Sequence, residues 1–150
     1  MRPTRILALA VLTFTLALLP PPVAEAGRAR AEAFTDINQM RAQAGVPPLR
    51  LNRSLNRSAR AYALKMIRRQ YFGHASRIQA SRRFFSLGEV IGFHFGRRPQ
   101  PRLIVGMWHR SATHYRALVG RRYRYVGIGK AYGRIRGRRV SVWVAHVGRR

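Results

Sequence analysis

From Ile37 to the C-terminus, one glutamate and five histidines are almost all the chain offers for proton or metal chemistry: Glu89, and His74, His94, His109, His114 and His146. A lone carboxylate excludes the two-acid mechanism of most glycosidases and the multi-carboxylate cages of two-metal nucleases and phosphatases. It disfavours a Ser-His-Asp triad for the same reason. Asp36 and Glu32 stand at the start of the first expected helix, where interaction with the helix dipole is their simpler role. There is no cysteine, so thiol nucleophiles, cysteine-based zinc sites and disulfides are all absent. No Walker-type glycine loop, HExxH helix or calcium-loop pattern occurs. What remains is imidazole plus one carboxylate, a set that suits a divalent cation such as Zn2+ with an open coordination position.

The spacing singles out two histidines. His74 lies in "YFGHAS" and His114 in "WHRSATHYRAL"; if these segments pack together, both imidazoles and Glu89 line one cleft. The alternative is that they are hydrogen-bonded structural histidines, since clustered polar groups mark sites only statistically. His109 precedes His114 by five residues and falls on a different helix face. His94 and His146 read as surface or strand-edge positions and receive no role.

Helices and strands must bring these groups together. Phe34, Ile37 and Met40 recur at helical spacing until Gly45, giving a first helix over 34–44. The prolines of "VPPLRLN" impose an extended segment over 46–52. Asn52 or Ser54 then caps a second helix, whose apolar stripe is Leu55, Ala59, Tyr62, Ala63, Met66 and Ile67. Residues 71–99 show no sustained period and contain several glycines, which predicts a long ordered loop carrying His74 and Glu89. A third helix follows from Pro101, with a helical turn near His114. "YVGIGKAY" and "RVSVWVAHVG" read as two strands joined by a glycine-bounded turn over 133–137.

The 150 residues suffice for one domain. Lysine and arginine number 30 against 4 acidic residues, a formal charge of +26. Such a surface attracts anionic cell-envelope polymer, lipid surfaces or nucleic acid, the last without sequence preference. Arginine pairs spread along the chain are equally what an arginine-rich codon bias produces. The N-terminus has two arginines, the apolar run "ILALAVLTFTLALL" and a small-x-small ending at Ala24 to Ala26. It reads as a signal peptide over 1–26, followed by a short lead-in over 27–33. The run is too short for a membrane span. The mature chain is therefore expected outside the cytoplasm, secreted and without a transmembrane anchor.

Taken in order, "INQMRAQAGVPPLRLNRSLNRSARAYALKMIRRQYFGHAS", "LGEVIG", "WHRSATHYRALV", "YVGIGKAY" and "WVAHVG" resemble the bacterial extracytoplasmic branch of the CAP superfamily, also called the SCP domain. The resemblance covers 34–148. It implies an α+β fold, a three-layer α-β-α sandwich, with an open cleft lined by histidines and acidic residues. By motif, His74 corresponds to the histidine after the second helix, Glu89 to the glutamate of a Gly-Glu-Asn motif, and Ser111 and His114 to the Trp-x-x-Ser-x-x-His segment begun by Trp108. Val90 replaces the motif's asparagine, and Ser111 stands where the eukaryotic branch carries a second glutamate. The expected function is a secreted domain whose cleft (His74, Glu89, Ser111, His114) binds a divalent metal through His74 and His114, or a small ligand, with catalysis unproven. An arginine-rich adhesive protein and a metal-dependent peptidase are the competing readings.

Overall fold

The computed structural model describes residues 22–150. The elements are α1 (Pro22–Gln43), β1 (Arg50–Leu51), α2 (Arg53–Arg68), β2 (Ser86–Phe95), α3 (Pro101–Arg110), α4 (Ala112–Leu118), β3 (Tyr125–Ile135) and β4 (Arg138–Arg149). The strands form one mixed sheet in the order β1-β3-β4-β2. β1 runs parallel to β3, and the other pairings are antiparallel. Among the described residues no helix is long and apolar enough to cross a membrane.

Alternation along β4 sorts the core into two layers. Trp143, Ala145 and Val147 meet α1, α3 and α4 together with Ile37, Ile104, Trp108 and Leu118. Val140, Val142 and Val144 meet Ala59, Tyr62, Ala63 and Met66 of α2. The result is the expected α+β sandwich, with α2 on one face of the sheet and three helices on the other.

Two local features fix α2. Asn52 is its N-cap, its side-chain oxygen accepting from the amides of Ser54 and Leu55 at 2.9 and 3.2 Å. Such a cap is worth about 1 kcal/mol over alanine. Beneath the helix, β3 presents Gly127 and Gly129. A Cβ at Gly127 would lie 2.0 Å from the Leu55 carbonyl carbon, and one at Gly129 would lie 2.1 Å from the Arg60 nitrogen. Only glycine permits backbone-to-backbone contact this close.

The structure departs from the sequence reading in several places. The segment 27–33, read as a lead-in, is helical within α1, and Ala29 and Ala33 are buried against the sheet side of that helix. Of the expected leader, residues 1–21 lie outside the described residues, and Pro22 to Ala26 form the first turns of α1. The expected long loop over 71–99 contains β2, which pairs with β4 along ten residues. The glycine-bounded turn shortens to Arg136 and Gly137, at φ 48° and 77°, the two left-handed residues of a tight hairpin. Gly133 belongs instead to β3, where Ile67 occupies the space a Cβ would need.

Candidate functional site

Glu89 lies on an edge strand, its flanking glycines turned to the opposite face. A Cβ at Gly88 would come within 2.7 Å of the Tyr123 hydroxyl, and one at Gly92 within 3.0 Å of Trp108 Nε1. Gly88 is not in the left-handed region; what it supplies is room. Trp108 uses that room to donate from Nε1 to the Ile91 carbonyl at 2.9 Å, which ties α3, and α4 behind it, to the strand that carries the glutamate.

On the α2 face Glu89 meets its cross-strand neighbour. The register pairs Glu89 with His146, and His146 Nε2 donates to Glu89 Oε2 at 2.9 Å. Oε1 accepts from His74 Nδ1 at 2.9 Å and from the Ala75 amide at 2.8 Å. The glutamate side chain is 6% exposed, His146 1% and His74 57%. Burial by itself would raise the Glu89 carboxyl. The hydrogen bonds from His146, the Ala75 amide and His74 outweigh it and hold the group below the usual glutamate range.

His74 is placed by the turn that ends α2. Tyr62 donates its hydroxyl proton to the Gly73 carbonyl at 2.8 Å, and Tyr71 donates to the Tyr62 oxygen at 3.0 Å. With Nδ1–H given to Glu89, His74 keeps the Nε2 lone pair. His114, on α4, brings its ring centre to 6.3 Å from that of His74. Burial, and then the nearby His74, push the His114 imidazole below its ordinary value, favouring its neutral form. His114 makes no side-chain hydrogen bond among the described residues.

The structure thus brings together His74, Glu89 and His114. Ser111 sits at the junction of α3 and α4 as the N-cap of α4, without a side-chain capping bond; its carbonyl accepts from the Tyr115 amide at 2.8 Å. His109 is exposed and stacks on Tyr115, with ring centres 5.4 Å apart. His94 and His146, read as surface or strand-edge positions, are both buried. His94 lies on the face away from Glu89, its Nδ1 near the Phe95 carbonyl. His146 is the residue that sequence reasoning missed. β4 is an interior strand, flanked by β3 and β2, and the alternation of Val140, Val142 and Val144 continues directly to His146.

Two imidazoles that share one zinc, each bonded at about 2.0–2.1 Å, have ring centres roughly 5–6 Å apart. His74 and His114 stand close to that spacing. Glu89 bonded to the far nitrogen of His74 is the carboxylate–imidazole pairing that orients metal-bound histidines. Among the described residues no three His, Asp or Glu side chains are grouped to hold a metal ion, so an ion here would take its remaining ligands from water or a bound molecule.

A sheet covered by α2 on one face and by α1, α3 and α4 on the other, with a glutamate–histidine cluster at its β2 edge, is the architecture of an SCP domain. The sequence matches the CAP family, described as the cysteine-rich secretory protein family, over residues 34–147, and the chain belongs to that family. It does so without a single cysteine. Among solved structures, an outer surface protein of Borrelia burgdorferi superimposes with a TM-score of 0.66 at 17% identity, covering 82% of this chain and 93% of that one. An extracellular SCP-domain protein of Bacillus anthracis gives 0.67 at 16% identity, covering 89% of this chain and 45% of that one. A cysteine-rich secretory protein of Staphylococcus aureus gives 0.58 at 16% identity, with 86% and 40% covered. The chain therefore spans less than half the length of the latter two. Among proteins of curated function, none matches the sequence.

Proposed function

We propose that the chain is an exported SCP domain that binds a divalent cation, Zn2+ in the first instance, between His74 and His114, with Glu89 holding His74 in the ligating tautomer. The observation that carries this reading is the 2.9 Å contact between His74 Nδ1 and Glu89 Oε1, which leaves Nε2 unspent on a ring whose centre lies 6.3 Å from that of His114. The export reading rests on the N-terminal "ILALAVLTFTLALL" run and small-x-small pattern, and accords with the extracellular and outer-surface descriptions of two structural relatives. Cleavage after Ala26 removes the first residues of α1 and keeps Ala29, Ala33 and Ile37, which pack in the core. The protein binds rather than turns over its ligand: one carboxylate already engaged by three donors is poorly placed to serve as a separate general acid or base.

Calorimetric titration of zinc at low and high salt, with the His74→Ala/His114→Ala double variant alongside, tests this. Saturable binding that survives salt and disappears in the variant is the expected result; equal binding by the variant overturns it.

A second reading rests on charge. One arginine–carboxylate contact, Arg102 to Glu32 at 2.9 Å, forms among the described residues, and the formal net charge of +26 is an excess of cations that the chain's own carboxylates cannot balance. Adhesion to an anionic envelope polymer or lipid surface would use that field, and its affinity would fall steeply as salt rises.

A further inference from the structure

A cavity of about 480 Å³, lined by neither His74 nor His114, opens between α2 and the segment 75–79. That volume lies within the range of small-molecule sites. Ser58, Tyr62 and His146 line its inner part. Exposed Lys65, Arg68, Arg69 and Arg77 are its charged lining residues, the others being uncharged, and no acidic residue lines it. Two buried polar atoms on this wall have no hydrogen-bond partner, Ser58 Oγ and His146 Nδ1. Each residue is more than nine-tenths buried, and a buried polar atom without a partner costs about 1–3 kcal/mol.

The polarity of the missing partner follows from the other side of His146. Its Nε2 donates to the Glu89 carboxylate, so in the neutral ring Nδ1 carries a lone pair and requires a donor. Ser58 can accept or donate. Both atoms lie beneath the accessible surface of the wall, so an occupant reaches them on a small shift of side chains, and a hydroxyl at its inner end, which can donate and accept, satisfies both. At its outer end it meets four cations, and the three guanidinium forks among them suit a phosphate better than a singly charged carboxylate.

We infer that this cavity is a binding site for a small phosphate monoester bearing a hydroxyl group, with the hydroxyl between Ser58 and His146 and the phosphate on Lys65, Arg68, Arg69 and Arg77. The site stands independently of the metal reading. It adjoins the proposed metal site through His146 and Ala75, which line the cavity and also hydrogen-bond the Glu89 carboxylate.

The test titrates the full chain, in chelator and at about 0.15 M salt, a level that screens loose surface association. The probe is glycerol 3-phosphate, followed by calorimetry and by the ring ¹⁵N resonances of His146. Saturable binding with a displaced Nδ1 resonance is expected. Ser58→Ala should weaken binding up to about tenfold, the worth of one net hydrogen bond, while remaining folded by circular dichroism. Arg68→Gln/Arg69→Gln should weaken it further, and inorganic phosphate should bind more weakly than the ester. Binding that leaves the His146 ring unmoved, or that Ser58→Ala and inorganic phosphate reproduce at full strength, assigns the anion to the outer arginines and overturns the inference. Absence of saturable binding overturns it as well. Because chelator is present throughout, failure here says nothing against zinc at His74 and His114, and success says nothing for it.

Discussion

Arg41 and Glu89 are both sunk into this domain, and their partners are of opposite kinds. Arg41, at the end of α1, is fully buried. It donates to the carbonyls of Pro47, Leu118, Gly120 and Tyr123, and so pins α1 to the segment that leaves α4. Glu89 is held by two imidazoles and one amide. Carbonyls of a folded backbone neither titrate nor change partner, so Arg41 works as a staple in a chain that has no disulfides. Imidazoles titrate, tautomerise and bind metals, so the surroundings of Glu89 can respond to ligands and protons in a way those of Arg41 cannot. Burial of a charge does not by itself mark a site; the chemistry of its partners does.

The contrast breaks most sharply at Arg41. Arg41→Met leaves four carbonyls without their donor and should cost about 3–5 kcal/mol of stability, the range for breaking a buried charge network. Urea unfolding measures this, and zinc affinity at temperatures where the variant stays folded should match the wild type. Glu89→Gln should show the reverse balance. It keeps an acceptor for the Ala75 amide but presents an amide where His74 or His146 expects a carboxylate. Stability should fall by about 1–2 kcal/mol, while zinc affinity falls about 10- to 100-fold, as for other lost partners of metal-bound histidines. Equal losses in both quantities would erase the distinction.

The smallest expected effect is on pH dependence. The folded state disfavours protonated His114, so the unfolded chain takes up that proton first, and stability declines as pH falls through about 6.5. Glu89 is held below its ordinary range; its contribution is complete above about pH 4.3 and is lost as pH drops through the lowered value. Arg41 stays charged over this whole interval and adds no slope. Thermal melts between pH 8 and 3 should show both declines. His114→Gln should flatten the upper one only, and a profile unchanged by that variant would count against the neutral, ligand-ready imidazole.

α2 and the β3–β4 pair were legible from the sequence because each carries a clean period, a helical stripe from Leu55 to Met66 and alternation from Val140 to Val144, whereas the layered fold was legible only through the family resemblance. β2 was hidden because Val90, Ile91 and Gly92 are buried in succession, as both faces of the strand are covered, and because Gly88 and Gly92 read as loop residues when they are in fact clearances for Tyr123 and Trp108. His74, Glu89 and His114 were singled out by their motifs, and the structure sets them near one another. His146 was not, because a histidine near a chain end looks like an edge residue until the strand is known to be interior. Counting in twos from Val144 would have placed it inside, and a buried histidine so near the only carboxylate in that part of the chain would then have found its partner.

The glycines under α2 bear on how accurately His74 can be aimed. Where most helices ride on a cushion of side chains that yield by changing rotamer, α2 seats on β3 at Gly127 and Gly129 with main chain against main chain. Such a joint has almost no compliance. Error in the helix position is not absorbed before it reaches the turn at Tyr71 to Ala75, and neither is it introduced there. The donor–acceptor spacing of His74 and Glu89 starts from a helix and a sheet bolted together without a gasket, with only the short segment after Arg68 between that joint and the imidazole.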